Sequence, residues 1–150
     1  FQLGFEPGRS IVANNGVLLT RVIYVKAGDN KRFVIVDAAM NDLLRPTLYE
    51  AYHEIQPVGP EGAIEGLADI VGPVCETGDY LGLDRMMPSL AAGDCLAVMS
   101  AGAYGAVMAS SYNSRPPAGE VMVLDDDVHI LRRRRDVAEL IAEEIIPDFG

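Results

Sequence analysis

Cysteine and histidine are scarce in this 150-residue chain, which carries only Cys75, Cys95, His53 and His129. Neither pair has metal-ligand spacing, so a zinc module and a disulfide scaffold are both excluded. Two free thiols fit a reducing compartment, and the expected location is the cytoplasm. Basic residues are also few: 12 Lys and Arg stand against 22 Asp and Glu, a formal net charge of -10. That balance argues against nucleic acid or an anionic membrane surface as a partner. No apolar run reaches the roughly 18 residues of a membrane span, and the first residues show no charged stretch followed by an apolar run and a small-residue cleavage site. The first residues, Phe1-Gln2-Leu3-Gly4, contain no initiator Met, and we expect a chain cut from something longer. Internal repeats and low-complexity segments are lacking as well. A chain of this length normally makes one domain and buries roughly 68–70% of its unfolded surface, enough for a core without disulfide staples.

What is present is mostly strand-like. Phe1–Phe5 is a short apolar run read as a buried strand, ended by Pro7-Gly8, and Ser10 caps a short turn that closes at Asn15-Gly16. Val17–Lys26 and Arg32–Ala38 are apolar and β-branched around the turn cluster Gly28-Asp29-Asn30, which predicts a hairpin. Leu43, Leu44, Leu48 and Tyr52 suggest a helix, but Pro46 would break a continuous one, so a short helix is expected near Thr47–His53. Gln56–Gly66 reads as a loop. Further strands are expected at Ala68–Val74, Tyr80–Leu83, Cys95–Ser100, Ala106–Ser110, Glu120–Leu124 and Val128–Arg133. Short strands at this spacing point to a mainly β fold, an antiparallel barrel or sandwich. The tail Asp136–Ile146 has apolar residues at helical spacing, and Asp136 with Glu139 has the form of a capping box.

Four segments carry residues with chemistry. Glu6-Pro7-Gly8-Arg9 follows a strand-like run, so its amides and the Arg9 guanidinium could hold a phosphate; a strand-ending turn with a surface Arg is the plainer reading of that segment alone. In Gly72-Pro73-Val74-Cys75-Glu76-Thr77-Gly78-Asp79 a thiol stands beside two carboxylates, a setting that suits a proton donor better than a thiolate nucleophile. A small buried hydrophobe is the structural alternative for Cys75 and remains our reading of Cys95. Arg45 and Tyr49 stand four apart and could grip a carboxylate by a forked pair plus a hydroxyl, unless they are a solvated Arg and a packing Tyr. Tyr104 lies among Gly102, Ala103 and Gly105, where a flat ligand could come close, or where a core Tyr fills a bend. His53 and His129 are read as structural. Arg132–Arg135 near Asp125, Asp126 and Asp127 read as an ion-paired surface.

The order and spacing of these blocks resemble the C-terminal half of the diaminopimelate decarboxylases, pyridoxal-phosphate enzymes of the alanine-racemase-like fold. The resemblance runs nearly end to end. It is carried by Phe5-Glu6-Pro7-Gly8-Arg9, by Phe33–Ala38 leading into Asn41-Asp42-Leu43 and Arg45-Pro46-Thr47-Leu48-Tyr49, and by the Gly72–Asp79 block. Gly102-Ala103-Tyr104-Gly105, Tyr112-Asn113-Ser114-Arg115-Pro116 and Glu120-Val121 complete it. It implies a (β/α)8 barrel holding pyridoxal 5'-phosphate, a following β-domain, and a head-to-tail homodimer with active sites at the subunit interface. Residues 1–16 would be the end of the barrel and 17–150 the β-domain, which in the family also takes a strand from the N-terminus of the whole chain.

By that resemblance Glu6, Pro7, Gly8 and Arg9 bind the cofactor phosphate, Arg9 also reaches substrate, and Tyr104 contacts both. Arg45 and Tyr49 would hold the retained carboxylate of meso-diaminopimelate, and Glu76 its distal amino group. Cys75 would deliver a proton after carbon dioxide leaves, giving L-lysine, in the partner subunit's site. The lysine that bonds the cofactor belongs to the family's barrel; Lys26 and Lys31 flank the hairpin turn and match no such motif. The isolated chain is therefore expected to be inactive. Thr77 stands where Ser is commoner, leaving Cys75 and Glu76 in place. Competing readings are a decarboxylase of ornithine, arginine or a carboxylated polyamine, and a non-catalytic β-barrel binding module. Arg45, Tyr49 and Glu76 speak against the first, and the coexistence of Cys75, Glu76 and the phosphate turn against the second.

Overall fold

The computed structural model describes residues 1–60 and 62–150. Among these residues the fold is mainly β, as expected, with strands β1 Leu18–Ala27, β2 Arg32–Val36, β3 Ile55–Pro57, β4 Ile64–Val71, β5 Tyr80–Pro88, β6 Cys95–Val98, β7 Glu120–Leu124 and β8 Asp127–Arg132. Two short helices accompany them, α1 Arg45–Tyr49 and α2 Val137–Leu140. Six strands form one sheet in the order β3-β6-β1-β2-β4-β5, and β7 pairs only with β8. The sheet curls so far that Ile55 of β3 meets Gly82 of β5, where an added Cβ would lie 2.9 Å from the Ile55 Cδ1.

β1 and β2 form the expected hairpin, Val25 opposite Val34 and Lys26 opposite Phe33. A bulge between Val22 and Tyr24 resets the alternation, so Val22 is buried while Ile23 and Tyr24 are exposed. One pair departs from the antiparallel expectation: β2 runs parallel to β4, with Val34 opposite Ile70. Parallel neighbours need a long crossover, and here it contains α1 and β3. Val22, Val34, Val36, Leu43, Ile70, Leu81, Leu96 and Val98 pack together inside the curled sheet. Fully burying each such side chain is worth about 1.5–3 kcal/mol, so this interior dominates the stability.

Several local expectations are corrected. Phe1–Phe5 forms no strand; Phe1, Leu3 and Phe5 stand exposed and pair with no strand among the described residues. Ala106–Ser110 contains a 3-10 turn, Ala106–Met108, because the Met108 amide turns back to the Gly105 carbonyl and the Ser110 amide donates to Asn41. The helix expected near Thr47–His53 starts earlier, since Pro46 occupies its first turn, where no amide is needed. It ends at Glu50, which is left-handed at φ 52°. The expected loop Gln56–Gly66 contains most of β3 and the start of β4, while its position 61 lies outside the described residues. At the C-terminus the capping box forms as expected, but α2 is a single turn, and Ile141, Ile145 and Ile146 remain exposed.

Candidate active site

Two bends face each other at one end of the sheet. In the first, the Ala13 amide donates to the Arg9 carbonyl at 2.9 Å and the Ile11 amide to the Gly8 carbonyl at 3.1 Å. In the second, residues 100–105 turn sharply, with Ser100 and Tyr104 left-handed at φ 57° and 58°. The bends are joined by backbone, Gly102 donating to the Ala13 carbonyl at 3.1 Å and Ala101 to the Gly16 carbonyl at 2.8 Å. Glycine is required at this seam: a Cβ on Gly102 would lie 2.1 Å from the Val12 carbonyl oxygen, and one on Gly16 2.5 Å from the Gly102 Cα. Ser100 Oγ adds a bond to Asn14 at 3.0 Å.

α1 supplies the third wall. The Arg45 guanidinium carbon lies 5.7 Å from the Tyr49 ring centroid and 5.5 Å from that of Tyr104, so a half-buried cation sits against two aromatic rings. The four-residue spacing read from the sequence brings Arg45 and Tyr49 onto one face, as helical geometry requires. A cleft of about 540 Å³ opens between these walls, lined by Arg9, Asn14, Arg45, Tyr52, His53 and Ser100. Two guanidiniums and a hydroxyl in one recess favour a ligand with more than one anionic group. The amides of Gly8, Arg9 and Ser10 have no acceptor among the described residues. Beside the Arg9 side chain they fit the phosphate end of a pyridoxal cofactor. The amine such a cofactor bonds is not offered nearby: Lys31 is held by Asp69 and Asp84 at 2.8 Å, and Lys26 is exposed at the far end of β1.

Cys75 and Glu76 stand elsewhere. Both are exposed on the turn between β4 and β5, and neither lines the cleft. Glu76 Oε1 accepts the Gly78 amide at 3.2 Å, so the carboxylate folds back over its own turn. This turn is docked to α1, with the Thr47 hydroxyl donating to the Gly78 carbonyl and the Tyr80 hydroxyl to the Pro46 carbonyl at 3.2 Å. Beneath α1, Arg115 donates to Asn41 Oδ1 at 2.9 Å and stands 3.8 Å from Asp42. Burial pushes the Asp42 carboxyl above its ordinary value, opposed by the Ala39 amide and Arg115.

The structure thus gathers Arg9, Arg45, Tyr49 and Tyr104 around the cleft and leaves Cys75 and Glu76 out of its lining. Tyr52 and His53 were not singled out as site residues from the sequence, yet both border the cleft. His53 is buried, with Nδ1 2.9 Å from the Met99 carbonyl oxygen. Nothing in its sequence spacing signals that position. His129 is exposed on β8.

A curled, mainly β sheet with a docked α1 helix defines a class. Residues 10–102 match the family described as pyridoxal-dependent decarboxylase, C-terminal sheet domain, and the chain belongs to it. Among named relatives, it is 58% identical over 146 residues to diaminopimelate decarboxylase of Pseudomonas aeruginosa, covering 97% of this chain and 35% of that protein. It is 57% identical over 143 residues to diaminopimelate decarboxylase of Zymomonas mobilis, covering 95% of this chain and 34% of that one. The crystal structure of diaminopimelate decarboxylase from Helicobacter pylori complexed with L-lysine matches with a TM-score of 0.84 at 50% identity, over 91% of this chain and 34% of the other. The chain spans about a third of the length of the curated relatives it matches. No helix among the described residues is long and apolar enough to cross a membrane.

Proposed function

We propose that these 150 residues are the C-terminal part of a pyridoxal 5'-phosphate-dependent decarboxylase that converts meso-diaminopimelate to L-lysine and carbon dioxide. Residues 1–16 complete an upstream (β/α)8 barrel and 17–150 form the sheet domain. One observation carries the reading: Arg9 and Arg45 share a cleft, with Arg45 held against Tyr49 and Tyr104. A guanidinium at each side provides one anchor for the cofactor phosphate and another for the carboxylate that is retained. The names of the relatives supply the substrate.

When bound, the cofactor would supply an electron sink for the carbanion left by loss of carbon dioxide. This chain's residues handle the rest. The Glu6–Arg9 turn would hold the cofactor phosphate, and Tyr104 would contact cofactor and substrate. Arg45 and Tyr49 grip the distal carboxylate, a forked cation and a hydroxyl that hold one orientation. Glu76 takes the distal ammonium. Cys75 transfers its Sγ proton to the carbon that lost carbon dioxide and is reprotonated from solvent. We infer that Cys75 and Glu76, which do not line the Arg9–Arg45 cleft, serve the site of the other subunit in a homodimer, as the resemblance implies. An amine- or guanidinium-tailed substrate such as ornithine or arginine would leave Arg45 without a carboxylate.

Kinetics on the full-length protein test the reading. Arg45→Ala should raise KM for diaminopimelate by roughly tenfold or more, whereas Cys75→Ala should mainly lower kcat. Equal or better kcat/KM on ornithine or arginine would overturn the substrate assignment. The 150 residues alone should give no absorbance from a lysine-bonded cofactor, since Lys31 is engaged by two carboxylates.

A further inference from the structure

Asp79 closes the Cys75 turn, and its side chain has no part in the chemistry described above. It is 4% exposed and carries no ion pair with Lys or Arg among the described residues. Its two oxygens accept from two separate stretches of chain, Oδ2 from the Val74 amide at 2.6 Å and Oδ1 from the Met40 amide at 2.7 Å. Its backbone completes the turn, the Gly72 amide donating to the Asp79 carbonyl at 2.9 Å and the Asp79 amide to the Glu76 carbonyl at 3.0 Å. Gly72 leaves the room for this: a Cβ there would lie 2.3 and 2.4 Å from the carboxylate oxygens.

We infer that Asp79 is a positioning residue whose carboxylate holds the Cys75–Glu76 turn and the segment leading into Arg45 in one fixed relation. The inference rests on the roles proposed for Cys75 and Arg45. One bond fixes the residue just before Cys75. The other fixes Met40, from which the chain enters α1 through a tight turn in which the Ala39 amide donates to Asp42 Oδ2 at 3.0 Å and the Leu43 amide to the Ala39 carbonyl at 3.2 Å. Leu43 is fully buried, so this turn cannot shift freely. α1 docks back on the same turn through Thr47 and Tyr80, and the circuit is closed. One carboxyl shared by two amides ties both stretches to a single side chain, and no Lys or Arg ion pair among the described residues competes for it. Proton delivery needs the thiol at a set distance from the reacting carbon, and carboxylate binding needs the guanidinium aimed. One buried carboxylate sets both.

Asp79→Asn keeps the shape but turns an amide nitrogen toward one of the two amide donors, and Gly72→Ala displaces an unaltered carboxylate. Hydrogen exchange on the folded 150-residue chain reads the effect directly. In both variants the Val74 and Met40 amides should exchange faster together, by roughly tenfold or more, while Val34 and Ile70 in the sheet keep their protection. Faster exchange at Val74 with Met40 unchanged, or acceleration throughout the sheet, would overturn the inference. In the full-length protein the same variants should lower kcat and raise KM together. Paired loss of protection with unchanged kinetics would overturn the positioning role through the failure of the assignments of Cys75 and Arg45; intact protection with altered kinetics would overturn it through the geometry.

Discussion

The six-stranded sheet and the β7–β8 ribbon are built from similarly apolar strands, yet only the sheet has an interior. Val34, Val36, Ile70, Leu81, Leu96 and Val98 are fully buried, whereas Val121, Val123, Leu124, Val128 and Ile130 remain 59% to 73% exposed. Both regions pair well: the ribbon keeps register from Val121 opposite Ile130 to Leu124 opposite Asp127. The difference is a second layer. The sheet curls onto itself and adds Leu43 from the segment before α1, while the ribbon has no element on either face among the described residues. β pattern sets the strand, and burial has to come from something packed on it.

The contrast can be broken most severely by large-to-small substitution. Leu81→Ala should destabilise the chain by about 2–5 kcal/mol, and Val123→Ala by no more than about 0.5 kcal/mol, in denaturant unfolding. Similar losses at the two sites would mean that the ribbon has a packing partner. The seam between the cleft's two bends comes next. Gly102→Ala drives a Cβ into the Val12 carbonyl oxygen and should cost about 1–3 kcal/mol, with the Arg9 turn loosening before the sheet does. Amide protection at Ala13 and Gly16, compared with Ile70, checks this order.

Smaller effects come from titration, and they run in opposite directions. Burial raises the Asp42 carboxyl above its ordinary 3.8, so the folded chain binds this proton more tightly than the unfolded chain. Its contribution is favourable below the ordinary value and is lost as pH rises through the raised one. Glu139 is held at about 2, below its ordinary 4.5, by Arg133 and the Asp136 amide. Its contribution is present above the ordinary value and is lost as pH falls toward 2. Asp42→Asn should therefore flatten the acid-side stability curve of the sheet. Glu139→Gln should alter only α2, seen as a change in the pH dependence of the Val137–Leu140 chemical shifts. An effect of Glu139→Gln on the sheet would couple the two regions.

Sequence legibility follows the same division between local and distant causes. The β1–β2 hairpin was readable because the turn cluster and the β-branched runs adjoin. The parallel β2–β4 pair was not, since partner choice across a long crossover leaves no local mark. β3 has only Ile55, Gln56 and Pro57 to announce it. Asp136 and Glu139 foretold the cap of α2 correctly, but its length depended on a packing partner that Ile145 and Ile146 do not have among the described residues. At the cleft, Arg45 and Tyr49 were legible together from their spacing. Tyr104 was legible there only through the resemblance, because its contact with Arg45 is made between α1 and a bend far away in sequence. Asp79 was read as a charge beside a thiol, since only the fold brings Met40 to its second oxygen.

Subunit mixing most directly tests the central claim, that the cofactor-bonding lysine and the Cys75 turn of one chain serve two different sites. Cys75→Ala subunits are combined with subunits lacking the cofactor-bonding lysine, and decarboxylation of diaminopimelate is measured after exchange. With random reassociation, half of the dimers are mixed and one of their two sites carries both groups, so about a quarter of the activity should return. No recovery in verified mixed dimers would place Cys75 in its own subunit's site and contradict the account.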